Sequence, residues 1–268
     1  MAVPSSGAIS LLGIKRELSN NDYSASNTHS NISLKDCSDG TVATINTANA
    51  STDRPDGDAP HFMTEFYAYD HDLVTLSTIT NKYSFLLDGV DEYIDLGEDY
   101  HTIGSDNCTV MGWIRPDNLT GNVEIFSIGE NTGSRFRMQR RGNKVGAYIE
   151  SDTHSGGQAL NGSTTIAVDT WYHVALVKSG TTFTIYLNGS SDGSLTQTGD
   201  FSSSTGIIGA YWGGGSNFFA GRVDEMALFD YAVSSSDIYN IYDVNTRTAS
   251  ADLDELTTPP IAWYRMGD

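Results

Sequence analysis

Basic residues are scarce in this chain: Lys and Arg number 15 against 34 Asp and Glu, a formal net charge of −19 at pH 7. A surface of that sign repels nucleic acid and anionic membranes, so neither is expected as a partner. Cysteine is scarcer still, at 2 residues. Cys37 and Cys108 stand far apart and without metal-site spacing, which argues for two reduced thiols, Cys108 in a buried strand, over a disulfide. Long apolar runs are missing, which excludes a transmembrane helix. Met1–Ser10 has no basic leading segment, and the apolar stretch Ile9–Ile14 is interrupted by Ser10 and Gly13, so no secretory signal is expected. The protein is then expected to mature where it is made, or to leave by another route. Hydrophobic residues make up 38%, low for a globular protein.

What is abundant is Gly, Ser, Thr, Asn and Asp, the mix that suits many short strands joined by tight turns. Up to about residue 80 the strand periodicity is weak. Ile9–Leu18 has the spacing of one short helix through Leu11, Leu12, Ile14 and Leu18, Asn20–Ser30 and Asn49–Pro60 read as loops, and His61–Asp72 is the most aromatic stretch. This arm is expected to lack a core of its own. From Lys82 the strand signals come in regular order. Cys108–Arg115 alternates, with Cys108, Val110, Gly112 and Ile114 on one face and Thr109, Met111 and Trp113 on the other, and Pro116 ends it. Turns follow at Asp88-Gly89, Gly142-Asn143, Ser179-Gly180 and Asn188-Gly189. Ser234 is placed to cap a helix carrying Ile238, Ile241 and Tyr242, and Ile261–Met266 reads as a last strand. Even spacing of this kind predicts a sandwich or barrel.

Four segments together resemble a laminin G-like, concanavalin A-type domain: FLLDGVDEYIDLG (Phe85–Gly97), VMGWIRP (Val110–Pro116), WYHVALVKSGTTFTIYLNG (Trp171–Gly189) and GRVDEMALFDYAVSSSDI (Gly221–Ile238). The resemblance implies an all-β chain: a concanavalin A-like jelly-roll β-sandwich over residues 81–268, preceded by an extended, mostly irregular arm over residues 1–80. In that arm, PSSGAISLLGIKRELS (Pro4–Ser19), NISLKDCSDG (Asn31–Gly40) and PHFMTEFYAYDHD (Pro60–Asp72) resemble the short N-terminal modules of tailed-phage virion proteins, particularly those of marine phages. That second resemblance implies a virion component assembled in the host cytoplasm, docked to other virion proteins through residues 1–80, forming a homo-oligomer and meeting a host surface glycan.

Several residues are candidate sites. Asp88, Asp91, Asp95, Asp224 and Glu225 could supply oxygen ligands to a structural Ca²⁺, with Asp91 and Asp224 as the pair similar to the calcium site of many such sandwiches; the other reading is turn and surface acids in an acidic protein. In Tyr211–Phe218, Tyr211, Trp212 and Asn217 could meet a sugar ring, or Trp212 and Phe218 could plug a sheet edge or an intersubunit contact. Arg135 and Arg137 belong to a basic cluster with Arg140, Arg141 and Lys144. Alternation with Phe136 and Met138 is expected to turn the arginines to solvent, where they form a plain solvated face or contact an acidic subunit or an anionic glycan. Phe62, Phe66, Tyr67 and Tyr69 are the expected assembly contacts of the arm.

Catalytic patterns are not found. The Glu-x-Asp-x-x-Glu strand of family-16-type glucanases, Gly-x-Ser-x-Gly and His-Glu-x-x-His are all missing, and the six His residues are scattered. The expected function is a non-enzymatic virion part, tail-fibre-like, adhesin-like or a capsid decoration, presenting a lectin-like sandwich to a glycan or protein. The alternatives are a cellular carbohydrate-binding module or glycan-acting hydrolase of the same class, and a cement protein with no ligand.

Overall fold

The computed structural model describes residues 3, 10–20, 23–24, 33–46, 49, 54–67, 69, 71, 76–99, 107–129, 135–152, 156–199, 205–211, 213–244 and 249–266. The chain divides into two units, Met1–Thr75 and Leu76–Asp268.

In the first unit, helix α1 (Leu11–Asn20) sets Ile14 and Leu18 on one face. Its start is capped by Ser10, whose hydroxyl accepts from the Gly13 N–H at 3.0 Å. A short helix, α2 (Leu34–Ser38), is capped by Ser33, which accepts from the Asp36 N–H. A 3₁₀ turn follows at Met63–Phe66. Val3, Ile14, Leu18, Cys37, Phe66 and Tyr69 form a buried cluster, with the Phe66 and Tyr69 rings edge to face at 5.9 Å. Burial pushes the Cys37 thiol up to about 11. The arm therefore has a small core, contrary to the expectation from its composition. Phe66 and Tyr69 are fully buried in it and are not available to a partner, because the apolar stripe of α1 gives the two rings a surface to cover. Tyr67 is half-buried, and Phe62, at 55% exposed, still faces outward.

The second unit begins at Leu76, ahead of the expected residue 81. Its strands are β1 (Thr78–Thr80), β2 (Phe85–Asp88), β3 (Ile94–Asp99), β4 (Cys108–Pro116), β5 (Asn122–Gly129), β6 (Arg135–Arg141), β7 (Lys144–Glu150), β8 (Gln158–Asn161), β9 (Tyr172–Ser179), β10 (Thr182–Leu187), β11 (Ser190–Thr196), β12 (Thr205–Ile208), β13 (Ala220–Phe229), β14 (Ala249–Ala251) and β15 (Ala262–Tyr264), with helix α3 (Ser235–Asp243) after β13. Among the described residues they form two large antiparallel sheets. One runs β11-β10-β9-β4-β13-β15, with β2 also on β13, and the other runs β3-β12-β5-β6-β7-β8. β1 and β14 pair separately. The segment Ile261–Met266 thus supplies β15, which closes the first sheet against Met226–Leu228.

The turns are where the sequence placed them. Gly142 and Gly180, at φ 59 and 58, open the β6–β7 and β9–β10 hairpins, and Asn188-Gly189, at φ 48 and 77, closes β10–β11. The main core lies between the sheets. Val110, Ile114, Val174, Leu176 and Phe183 of one meet Phe126, Phe136, Met138, Ala147 and Ile149 of the other, and the Phe136 and Phe183 rings stand 6.2 Å apart. The outer face of the first sheet is apolar too over part of its length. Met111, Ala175, Val177, Ala227 and Phe229 are covered there by Ile238 and Ile241 of α3 and by Leu253. Ser234 caps α3 as expected, accepting from the Asp237 N–H at 3.1 Å. Because α3 covers only one end of this face, the polar end of β4 and β13 is left to line a groove.

Candidate ligand-binding groove

The groove has a volume of about 790 Å³ and is lined from every side by the second unit. Its floor is built by register. Trp113 on β4 lies opposite Asp224 on β13, and Arg115 lies opposite Arg222. Paired residues of adjacent antiparallel strands share a face, as do alternate residues of one strand, so all four side chains stand on the outer side. Trp171 enters from the lead into β9, Tyr242 and Asp243 from the last turn of α3, Asn188 from the β10–β11 turn, and Asn81, Tyr83 and Ser84 from the segment between β1 and β2.

Each group is held by its neighbours. The β4–β13 register shifts between Asp224 and Ala227, where Glu225 takes φ 50. This bulge presses onto Gly112, where a Cβ would come within 3.1 Å of the Asp224 carbonyl and would strike the Met226 sulfur, so β4 has a glycine there. Asp224 is buried, with Oδ2 accepting from Asn81 Nδ2 at 3.0 Å and Oδ1 from the Glu225 N–H at 2.9 Å. Glu225 in turn accepts from the Trp263 indole at 2.7 Å. Behind Trp113 lies His173, its ring 5.4 Å from that of Trp113 and 6.4 Å from that of Tyr242. It is fully buried, and desolvation lowers its pKa to about 4, so the imidazole is neutral at pH 7. Its backbone N–H donates to Asn188 Oδ1 at 3.0 Å, and the Asn188 N–H donates to its carbonyl at 2.8 Å, which ties the turn to the groove.

The two arginines differ in state. Arg115 pairs with Asp169 at 2.6 Å and with Asp117 at 3.7 Å. Arg222 has the Ser84 hydroxyl at 3.2 Å and, among the described residues, no carboxylate partner.

A second polar cluster lies on the outer face of the other sheet. Glu124, fully buried on β5, accepts from Arg137 at 2.8 Å, from Gln139 at 2.8 Å and from Asn217 at 3.4 Å. Burial pushes its carboxyl upward against the pull of Arg137. The Arg137 guanidinium lies 4.2 Å from the ring centre of Tyr148 and 5.1 Å from that of Tyr211. Arg135 pairs with Glu150 at 2.9 Å.

The family model of the concanavalin A-like lectin/glucanases superfamily matches residues 88–239. The chain belongs to this superfamily. Among solved structures this lectin-like sandwich is similar to a heptameric SAP-like pentraxin from Limulus polyphemus, at TM-score 0.48 and 18% identity over 65% of this chain and 86% of that one. It is also similar to the CBM40 of the Ruminococcus gnavus IT-sialidase bound to alpha2,3 sialyllactose, at TM-score 0.49 and 13% identity over 63% and 100%. A third is domain 4 of AbnA, a GH43 arabinanase from Geobacillus stearothermophilus, in complex with arabinotriose, at TM-score 0.49 and 20% identity over 64% and 82%. No curated protein matches in sequence.

Against this lectin-like frame the candidate residues divide. Asn217 and Arg137 come together around Glu124, and Tyr211 links the two arginines, its ring centre 5.1 Å from the Arg137 guanidinium and 5.9 Å from that of Arg135, while Trp212 lies outside the described residues. The expectation that these arginines face solvent is corrected. Arg137 is 7% exposed and Arg140 1% exposed, because Glu124 draws the first inward and the carbonyls of Gly121, Gly142 and Thr120 hold the second. Asp91 and Asp224 are not brought together. Asp88 pairs with Ala220 and Phe85 with Val223, so the two acids lie beyond opposite ends of that pairing, more than about 10 Å apart at ~3.3 Å per strand residue. Among the described residues no three His, Cys, Asp or Glu side chains gather at metal-binding spacing. Sequence reasoning named Asp224 as a metal ligand but missed Trp113, Trp171, Tyr242 and Arg222 as one site. The available signal was the period-two face carrying Trp113 and Arg115 outward.

Proposed function

We propose that the sandwich binds saccharide through the groove between α3 and the β4–β13 strands, without catalysis. The observation that carries this is the set of aromatic walls, Trp113, Trp171, Tyr83 and Tyr242, around polar groups held at fixed positions. An indole offers a flat apolar face to the C–H groups of a sugar ring, and the edge groups meet its hydroxyls. A volume of about 790 Å³ falls in the range of ligand sites. Membership in a lectin and glucanase superfamily supports the reading. Binding without turnover is favoured because Asp224 has both oxygens engaged by Asn81 and the Glu225 N–H, so it is not poised to trade a proton. Calorimetric titration of the full chain against a panel of plant, bacterial and animal oligosaccharides is the test. At least one should bind, Trp171→Ala should weaken it tenfold or more, and no product should accumulate. A panel that gives no heat at millimolar sugar rejects the groove as a lectin site.

The virion reading is the finer part of the proposal. In it residues 1–80 dock on a particle assembled in a host cytoplasm, as part of a homo-oligomer, and the sandwich is displayed to a host glycan. The N-terminal segments similar to phage modules and the acidic net charge of −19 support it. Phe62 is the expected aromatic contact that remains exposed for a partner.

A further inference from the structure

We infer that the groove selects saccharides bearing an anionic group, a carboxylate or a sulfate, and that Arg222 holds that group. The inference rests on the saccharide reading above and adds the chemistry of the ligand. It starts from the two arginines on the groove floor. They lie directly opposite each other on β4 and β13, an arrangement of like charges that costs stability unless one is neutralised. Arg115 is neutralised, by Asp169 and Asp117. Arg222 is not: the Ser84 hydroxyl fixes one arm of its guanidinium, and among the described residues no acid takes the rest. A chain with 34 acidic residues has ample means to pair a cation, yet this one stands half-buried in the groove.

Most of the surrounding groups point the same way: Lys82 adds a further cation to the lining, and Asp243, at the end of α3, is the acid that an anionic group held by Arg222 must avoid. The indole N–H groups of Trp113 and Trp171 and the Tyr242 hydroxyl have no acceptor among the described residues, so the groove offers several donors unspent. Asp224, the acid nearest Arg222 in the strand, has its oxygens taken by Asn81 and the Glu225 N–H. The complement to such a lining is a ligand rich in acceptors with one negative charge. A guanidinium suits it, since its planar fork meets a carboxylate or sulfate through parallel hydrogen bonds, and aromatic walls that exclude water strengthen the pair. The charge also serves selectivity. The field of the whole molecule repels anions, so an anionic sugar binds only where a local cation offsets that field.

The test uses the full chain and two pairs of probes: a trisaccharide of galacturonic acid with the same trisaccharide methyl-esterified at its carboxyls, and a sulfated disaccharide with its unsulfated counterpart. At least one charged probe should bind ten times or more tighter than its neutral match. Arg222→Gln should remove that preference, bringing the charged probe to within about twofold of its neutral match in the same variant, and Arg222→Lys should retain part of it. The melting temperature of each variant establishes that it is folded; if Arg222→Gln is unfolded, Arg222→Met takes its place. Tighter binding of the uronate than of the sulfate assigns the group as a carboxylate, and the reverse assigns it as a sulfate. If charged and neutral probes bind equally, or if the preference survives in Arg222→Gln, the anion inference is wrong and the saccharide reading stands. If nothing binds in any arm, the anion inference falls, and the oligosaccharide panel decides the saccharide reading separately.

Discussion

His173 has no counter-charge, and its Nδ1 finds no hydrogen-bond partner among the described residues, so its environment leaves it neutral. The unfolded chain would take up a proton on this side chain near pH 6.5, the folded chain only near pH 4. Between those values the unfolded state binds more protons. Stability from this group is therefore full above about pH 6.5 and is lost as the pH falls toward 4, by on the order of 3 kcal/mol. His173→Phe keeps a flat ring between Trp113 and Tyr242 and removes the titration. Urea unfolding at pH 7 and pH 4.5 should show the wild type losing about 2–3 kcal/mol more than the variant. Equal losses in the two proteins would mean that the imidazole is solvated and not buried. A residue chosen for packing behind the groove thus sets a lower pH limit on the groove itself.

At the scale of elements, the site depends on how far α3 reaches. Its first turn is held by the Ser234 cap, its middle by Ile238 and Ile241 against the outer sheet face, and its last turn delivers Tyr242 to the groove. Cap and ligand wall are at opposite ends of one short helix, so their effects can be separated. Ser234→Ala should lower stability by about 1 kcal/mol through the lost cap bond, read as a fall in the urea midpoint, while saccharide affinity stays within twofold. Tyr242→Ala should do the reverse in emphasis, weakening the ligand more than the fold. A cap variant that abolishes binding would show that the helix places Tyr242 only when its first turn is intact.

For the whole molecule, the division at Thr75 makes a direct claim about folding. Leu76 packs in the outer cluster with α3, and Thr78–Thr80 pair with Ala249–Ala251, so the sandwich needs its residues from 76 onward. A chain of residues 76–268 is expected to be soluble, β-rich by circular dichroism and cooperative on heating, with the saccharide affinity of the full chain. Under the virion proposal it no longer enters the particle, and Phe62→Ala in the full chain lowers incorporation without changing the melting curve. A truncated chain that aggregates would place a necessary part of the sandwich in the first unit. One that still assembles would move the docking contact onto the sandwich.

The sequence by itself determined what depends on short-range rules. The alternation in Cys108–Arg115 set which side of β4 meets the core, Gly142, Gly180 and Asn188-Gly189 set the hairpins, and Ser234 set the start of α3, because each needs only a few neighbouring residues to take effect. Family membership was legible for the same reason, in strand and turn motifs that keep their order. What only the tertiary structure decided is which outward-facing residues meet. Asp91 and Asp224 carry the right oxygens, but the β2–β13 register holds them apart. Arg137 alternates as a solvent residue should, yet Glu124, from the neighbouring strand, draws it inward. Phe66 and Tyr69, which their aromatic stretch marked as contacts for a partner, are buried instead by a helix some fifty positions earlier in number, at Ile14 and Leu18. The groove itself joins β4, β9, β13, the end of α3 and the segment before β2, and nothing local links those segments: their meeting is set by sheet order and by how much of one face a helix covers.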